Sequence, residues 1–123
     1  MIRGQVSSER AAQVKLWIGG PSGDLHEISA TIDTGFTDFL ALPSDVIASL
    51  KLPYDATFPA ILGDGSTSHL DFHRVTVVWG GRQLRIQALA TAADALIGMA
   101  LLDGQRLTLD VTAGGAVTIE PLQ

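Results

Sequence analysis

The sequence predicts an all-β domain. Most of the chain divides into short segments in which apolar and polar residues alternate, a pattern typical of strands with one buried face. Glycine-containing turns separate these segments, and only two short stretches favour a helix. The 123 residues suffice for one such domain with a single hydrophobic core.

The first predicted hairpin follows a polar start. Residues 1–12 are expected to form a loose N-terminal arm, and residues 13–123 a single domain. Alternating apolar side chains mark a strand over residues 14–18 and a second one over residues 25–32. Glycine, proline and serine between them indicate a turn, so this hairpin leads directly into Asp33.

A short helix is expected after the next strand. The apolar run 39–42 ends at Pro43, and Ser44 is placed to cap a helix over residues 45–50. Asp45 in the first turn favours this helix through its interaction with the helix dipole.

Two hairpins are expected in the middle of the chain. In the first, residues 60–62 and 68–70 flank a tip with two glycines. In the second, strands over residues 72–79 and 83–90 are joined by a pair of glycines.

The last part of the chain predicts a buried strand, a helical turn and another hairpin. Residues 95–98 form the strand end, and residues 99–102 form the helical turn, which Asp-Gly stops. Glycines then separate residues 107–111 from residues 116–119.

Composition argues against several classes of function. The net charge is −5 and the basic residues are scattered, so we expect no nucleic-acid partner. The absence of cysteine excludes disulfides and thiolate metal sites. We see neither the apolar core of a signal peptide nor a run long enough to span a membrane, and we therefore expect a cytoplasmic protein with no membrane partner. An apolar fraction of 46% is high for a small monomer, which suggests that a partner covers part of the surface.

The chemically informative segment is Asp33-Thr34-Gly35. On these three residues alone, the simplest interpretation is an ordinary turn in which the aspartate bonds to the backbone that follows it. However, Ala30 and Ile32 would carry Asp33 into a desolvated place. A turn aspartate does not need such a place, whereas a catalytic aspartate does.

The order of motifs resembles that of the retropepsin-like aspartic proteases. Asp-Thr-Gly follows an apolar strand, and a short helix preceded by proline comes next. A glycine-tipped hairpin and a further hairpin follow. Two aliphatic residues and a glycine, at positions 96–98, then precede the predicted helical turn. The single-domain bacterial members of this clan, clan AA, are especially similar, including Asp-Thr-Gly-Phe-Thr. The resemblance covers about residues 13–120 and implies a retropepsin-like half-barrel with one or two short helices.

The resemblance implies a role for each matching residue near the aspartate. Asp33 matches the catalytic aspartate, and Thr34 matches the residue whose hydroxyl bonds across to the second subunit. Gly35 matches the glycine whose carbonyl accepts hydrogen bonds from the substrate backbone. Phe36 and Thr37 are expected to contact substrate, and Phe36 stands where Ala or Ser is usual in viral and pepsin-type enzymes, which implies a bulkier pocket wall.

The resemblance also implies a flap and a supporting strand. Gly63, Asp64 and Gly65 match the tip of the mobile hairpin that covers substrate, although this tip lacks the tyrosine of the pepsin flap. Residues 96–98 match the strand that crosses beneath the aspartate loop.

The mechanism of this family requires two carboxyl groups that share one proton. The chain has a single Asp-Thr-Gly, so a homodimer would supply the second Asp33. We expect the apolar strand 116–119, otherwise an exposed edge, to contribute to the interface. The resemblance thus implies an aspartic endopeptidase that acts on a peptide or protein substrate without a cofactor or metal. A dimeric binding or scaffold module that kept the fold without hydrolysis stays open as the alternative.

Other candidate sites have less support. His26, His69 and His73 could suggest a metal site, but no third ligand with supporting contacts is evident, so solvated histidines are the simpler interpretation. Residues 63–67 lack the lysine and the following helix of a phosphate loop. No serine has the sequence context of a nucleophile elbow.

Overall fold

The computed structural model describes residues 1–123 and confirms the all-β prediction. Ten strands form one sheet, and the two helices are short. Neither helix has the length and apolar character needed to cross a membrane. In chain order the elements are β1 Ile2–Val6, β2 Ala12–Gly19, β3 Leu25–Ile32, β4 Leu40–Pro43, α1 Ser44–Ser49, β5 Tyr54–Ile61, β6 Thr67–Trp79, β7 Arg82–Thr91, β8 Leu96–Ile97, α2 Met99–Leu102, β9 Gln105–Leu109 and β10 Ala116–Pro121.

The strands lie in the order β5-β6-β7-β4-β8-β3-β2-β1-β10-β9. The sheet folds back on itself because β2 pairs with β6 as well as with its hairpin partner, with Ile18 opposite Val77. Alternate side chains of the curved sheet therefore meet in one core. The largest fully buried side chains are Leu16, Ile18, Leu40, Leu42, Ile97, Ile119, Val14, Val75, Val77 and Val117.

All four predicted hairpins are present, but the strands expected over residues 68–70 and 72–79 form one continuous strand, β6, which the second and third hairpins share. They are the antiparallel pairs β2–β3, β5–β6, β6–β7 and β9–β10. The turn between β6 and β7 consists of Gly80 and Gly81, both at positive φ, which is why glycine is needed at this tip. The helical turn predicted over residues 99–102 is α2.

The N-terminal segment differs from the loose arm expected over residues 1–12. Residues Ile2–Val6 form β1, which pairs antiparallel with β10 and, at its end, with β2. Val6 is buried in the core. The alternation of apolar residues in this strand is short and is interrupted by Gly4, which made it hard to recognise. The structure requires that glycine, because a Cβ there would overlap the carbonyl of Gln13.

The last strand is not an exposed edge, contrary to the expectation for residues 116–119. β10 lies between β1 and β9, and its Val117 and Ile119 are buried. The two edge strands are β5 and β9. The sequence pattern identified the strand but not its neighbours, because pairing between the two ends of the chain leaves no local signal.

The helix α1 forms where expected, but Ser44 does not cap it. The helix begins at Ser44 after Pro43, and no side chain caps its N-terminus. The Ser44 hydroxyl instead donates to the carbonyl of Thr91 at 3.3 Å. This follows from the pairing of Pro43 with Thr91, which brings Ser44 beside β7.

Candidate active site

The loop that carries Asp33 is fastened at both ends to the two-residue strand β8. It leaves β3, which runs parallel to β8, and returns as β4, which runs antiparallel on the other side of β8. At one end the Asp33 N–H donates to the Ile97 carbonyl at 2.9 Å. At the other end the Gly98 N–H donates to the Phe39 carbonyl at 3.0 Å. The prediction that residues 96–98 support this loop agrees with this geometry.

Within the loop, Asp33 organises the turn that follows it. Its Oδ1 accepts the N–H of Gly35 at 2.9 Å, and its carbonyl accepts the N–H of Phe36 at 3.1 Å. The turn interpretation of Asp-Thr-Gly is therefore correct as local structure. It does not exclude a chemical role, because Oδ2 makes no hydrogen bond within the chain and remains available to a ligand or a second carboxyl group.

Close packing holds the loop against the chain segment beneath it. The Met99 N–H donates to the Phe36 carbonyl at 2.8 Å. A Cβ on Gly98 would lie 2.7 Å from Phe36 Cδ2 and would overlap the Asp38 carbonyl oxygen. The half-buried Phe36 ring thus contacts Gly98 and supports the loop, a contact that the sequence did not predict.

The outer surface of the loop is open in one copy of the chain. Asp33 is half-buried, whereas Thr34, Gly35 and Thr37 are exposed. The expected desolvation of Asp33 is therefore not provided by one chain. The buried part of β3 includes Ala30, and the loop then turns outward, away from that core.

The predicted flap tip is a tight turn that closes on itself. The Leu62 N–H donates to the Ser66 carbonyl at 2.8 Å, and the Gly65 N–H donates to the Leu62 carbonyl at 2.9 Å. Gly65 has φ of +84°, and Gly63, Asp64 and Gly65 are all exposed. The tip and the Asp33 loop are not joined by any hydrogen bond.

Asp64 stabilises this turn with its side chain. Its Oδ1 accepts the Ser66 hydroxyl at 2.5 Å and the Ser66 N–H at 2.9 Å. The hydroxyl hydrogen bond, followed by the backbone one, lowers the pKa of Asp64 below its ordinary value of 3.8.

Two of the solved structures that resemble the chain are proteases. A retropepsin-like aspartic protease from Rickettsia conorii aligns with 99% of this chain and 91% of its own, at 15% identity and a TM-score of 0.58. EIAV protease in complex with the inhibitor HBY-793 aligns with 76% of this chain and 86% of its own, at 20% identity and a TM-score of 0.55. The chain has a retropepsin-like fold. No protein-family model and no curated sequence matches it.

The hairpin β5–β6 of this retropepsin-like fold exposes large apolar side chains near its tip. Phe58, Ile61 and Leu62 are 50%, 82% and 48% exposed, and Phe58 stacks edge-on against Phe72 with 5.5 Å between ring centroids. None of these three residues was predicted from the sequence to contact a ligand. The available signal was the pair Ile61-Leu62 directly before a solvent-facing turn, where polar residues are usual.

A polar cluster holds the base of the same hairpin. Asp55 on β5 accepts hydrogen bonds from Arg74 on β6, at 3.0 Å, and from Gln87 on β7. The Gln87 hydrogen bond lowers the pKa of Asp55, and the Arg74 charge acts in the same direction. Three strands are therefore tied together at the base of the hairpin, while the tip is held only by its own bonds.

The histidines do not come together in the retropepsin-like fold. No group of three histidine or acidic side chains is placed to hold a metal ion. The rings of His73 and Tyr54 instead pack in a T-shaped arrangement, with 5.8 Å between centroids.

Proposed function

We propose that the chain is an aspartic endopeptidase that works as a homodimer, with one Asp33 from each copy. One observation carries the proposal: in a retropepsin-like fold, the Asp33 loop is fastened at both ends to β8, and its outer surface is left open. A loop held this rigidly can keep a carboxyl group in a fixed position. Its exposed face can meet the same loop of a second copy about a two-fold axis.

Two Asp33 carboxyl groups brought together would share one proton, because two negative charges at close range repel each other. The ionised carboxylate takes a proton from water, and the water oxygen attacks the carbonyl carbon of the peptide bond. The protonated carboxyl group donates to the carbonyl oxygen. When the C–N bond breaks, a proton passes to the departing nitrogen, so hydrolysis needs no covalent intermediate.

The residues around Asp33 would hold the substrate and the second loop. We assign the exposed hydroxyl of Thr34 to the contact between the two loops, and the carbonyl of Gly35 to the substrate backbone. Phe36 and Thr37 flank the same surface.

The hairpin β5–β6 would act as the flap. Its polar base ties three strands together, whereas its glycine-containing tip carries exposed Ile61 and Leu62. Closure of an apolar tip over a bound peptide would exclude water other than the attacking molecule, which strengthens the electrostatic interactions in the site.

The test is cleavage of a peptide library by the purified protein and by Asp33→Asn. The variant keeps the side-chain shape but cannot transfer the proton, so we expect the cleavage rate to fall by roughly 10²–10⁴-fold or more. Asp38→Asn is the matched control, because Asp38 is exposed on the same loop and its side chain makes no hydrogen bond. Full activity in Asp33→Asn contradicts the proposal. Peptide binding by the wild-type dimer without cleavage supports the binding module instead.

A further inference from the structure

The strand β9 has an unpaired edge. It is the last strand of the sheet, and β10 is its one neighbour. Exposed strand edges carry free N–H and C=O groups, which pair readily with another strand. The edge is not blocked by proline, and its five residues are Gln105–Leu109.

The hydrogen bonds to β10 determine which residues face this free edge. Asp110 donates to Ala116, and Leu122 donates to Gly104, so the even-numbered residues of β9 bond to β10. In an antiparallel pair such residues alternate with residues whose N–H and C=O groups point the other way. The backbone groups of Leu107 and Leu109 therefore point away from β10, toward the free edge.

A second copy of β9 fits this edge in one register better than in the others. When two such edges pair antiparallel with Thr108 on the two-fold axis, Leu107 and Leu109 of opposite copies exchange both N–H···O bonds. Arg106 then lies opposite the partner subunit's Asp110, and this occurs twice by symmetry. Centring the pair on Leu107 removes this match, and centring it on Arg106 places like charges opposite each other.

The side chains agree with this register on both faces of the strand. Arg106 and Asp110 are exposed, and they fall at positions where directly opposed side chains approach most closely. On the other face, Leu107 and Leu109 share a side with the buried Ile119 and Val117 of β10. Leu109 is 37% exposed in the single chain, and the partner subunit's Leu107 would cover it.

We infer that β9 of one copy pairs antiparallel with β9 of a second copy, with Arg106 opposite the partner subunit's Asp110. This inference rests on the proposed function, which requires a homodimer, and it names the surface that forms it. The interface is connected to the site through α2, which bonds to the Phe36 carbonyl at its first residue and ends at Leu102, just before β9 begins. Pairing of the two β9 strands would therefore constrain the position of the Asp33 loop through α2.

Charge exchange tests the register. Arg106→Asp alone and Asp110→Arg alone each place like charges opposite each other twice, so each variant should raise the dimer dissociation constant by roughly tenfold or more. Mixing the two variants places opposite charges together at both positions, and the mixture should form heterodimers as readily as the wild type. Arg85→Asp is the control, because it makes the same charge change as Arg106→Asp at an exposed position on β7 and should leave the dimer intact.

Leu109→Pro tests the backbone pairing without disturbing β10. The N–H that proline removes faces the free edge, so the chain should stay folded and become monomeric. Folding is checked by circular dichroism, and molar mass is measured by sedimentation over a dilution series.

Molar mass and peptide cleavage, measured on the same variants, separate this inference from the proposed function. The β9 interface would be overturned if the wild type is monomeric or if the dimer tolerates Arg106→Asp, Asp110→Arg and Leu109→Pro. It would also be overturned if a mixture of the two charge variants stays monomeric. An active dimer insensitive to the changes would overturn the interface alone. A dimer that depends on Arg106 and Asp110 but cleaves no peptide supports the interface and contradicts the protease.

Discussion

At Gly98 two stretches of backbone approach too closely to admit a side chain. The Asp38 carbonyl oxygen and the Phe36 ring occupy the space that a Cβ would fill. The same residue donates its N–H to Phe39. Position 98 therefore requires glycine because the loop above it leaves no room for a Cβ, and not because of the backbone conformation of Gly98 itself.

Gly98→Ala should destabilise the protein. The added methyl group would push the loop away from α2, and overpacking of this kind typically costs about 1–3 kcal/mol of unfolding free energy. Gly63→Ala is the control, because its Cβ would have no atom within 4 Å and its effect should stay within about 1 kcal/mol. Urea denaturation of the three proteins measures the difference. Equal stability of the two variants would mean that the loop moves to accommodate the added methyl group without a cost in unfolding free energy.

The sequence identified Asp33 and Gly98 because both match the order of motifs in a known family. It could not reveal that Phe36 packs on Gly98 or that Ser44 bonds to Thr91, because both contacts join distant parts of the chain. It also predicted a desolvated Asp33, whereas in one copy the carboxyl group is half-buried. Desolvation of this residue depends on what covers the loop.

Among the elements, the hairpin β5–β6, which we propose as the flap, is held differently at its two ends. Asp55 bonds to side chains on two neighbouring strands, whereas Asp64 bonds only to Ser66, two residues away. Local unfolding begins where few contacts oppose it, so the tip should open before the base. This difference would allow the tip of the hairpin to move while the strands at its base stay in register.

The Asp64 turn should loosen when the pH falls below the ordinary aspartate pKa of 3.8. The pKa of Asp64 is lowered in the folded chain, so its hydrogen bonds stabilise the turn above 3.8 and are lost as the pH falls through the lowered value. The Ser66 amide chemical shift, followed by NMR across the acidic range, should show a transition with its midpoint below 3.8. Asp64→Asn should lack this transition. A midpoint at or above 3.8 in the wild type would contradict the assignment.

The hairpins could be predicted from sequence because glycine turns and alternation are local signals. The four predicted hairpins supply seven of the ten strands, whereas β1 was assigned to an arm and β10 to an edge. Both errors concern one feature, the antiparallel pairing of Ile2 with Ile119. The free energy of such a pairing depends on the whole fold, and neither segment alone carries a signal for it.

For the whole molecule, the proposed chemistry makes activity depend on the concentration of dimer. One chain offers one Asp33, so specific activity should fall on dilution below the dimer dissociation constant. Thr34→Val removes the hydroxyl that we assign to the contact between loops, and it should shift this fall to higher protein concentration. Activity and molar mass are measured over the same dilution series. Full specific activity in a demonstrably monomeric protein would rule out a shared pair of aspartates.

Asp33 leaves the ribosome long before the residues that hold it in place. Its loop is fastened by Ile97 and Gly98, and the sheet is completed when Ile119 reaches Ile2. Contacts so distant along the chain form late and fold slowly. A nascent chain that lacks these residues carries Asp-Thr-Gly on an unsupported turn with no strand beneath it. By the order of its synthesis, a chain can therefore gain its proposed hydrolytic activity only after the residues up to Ile119 have been made.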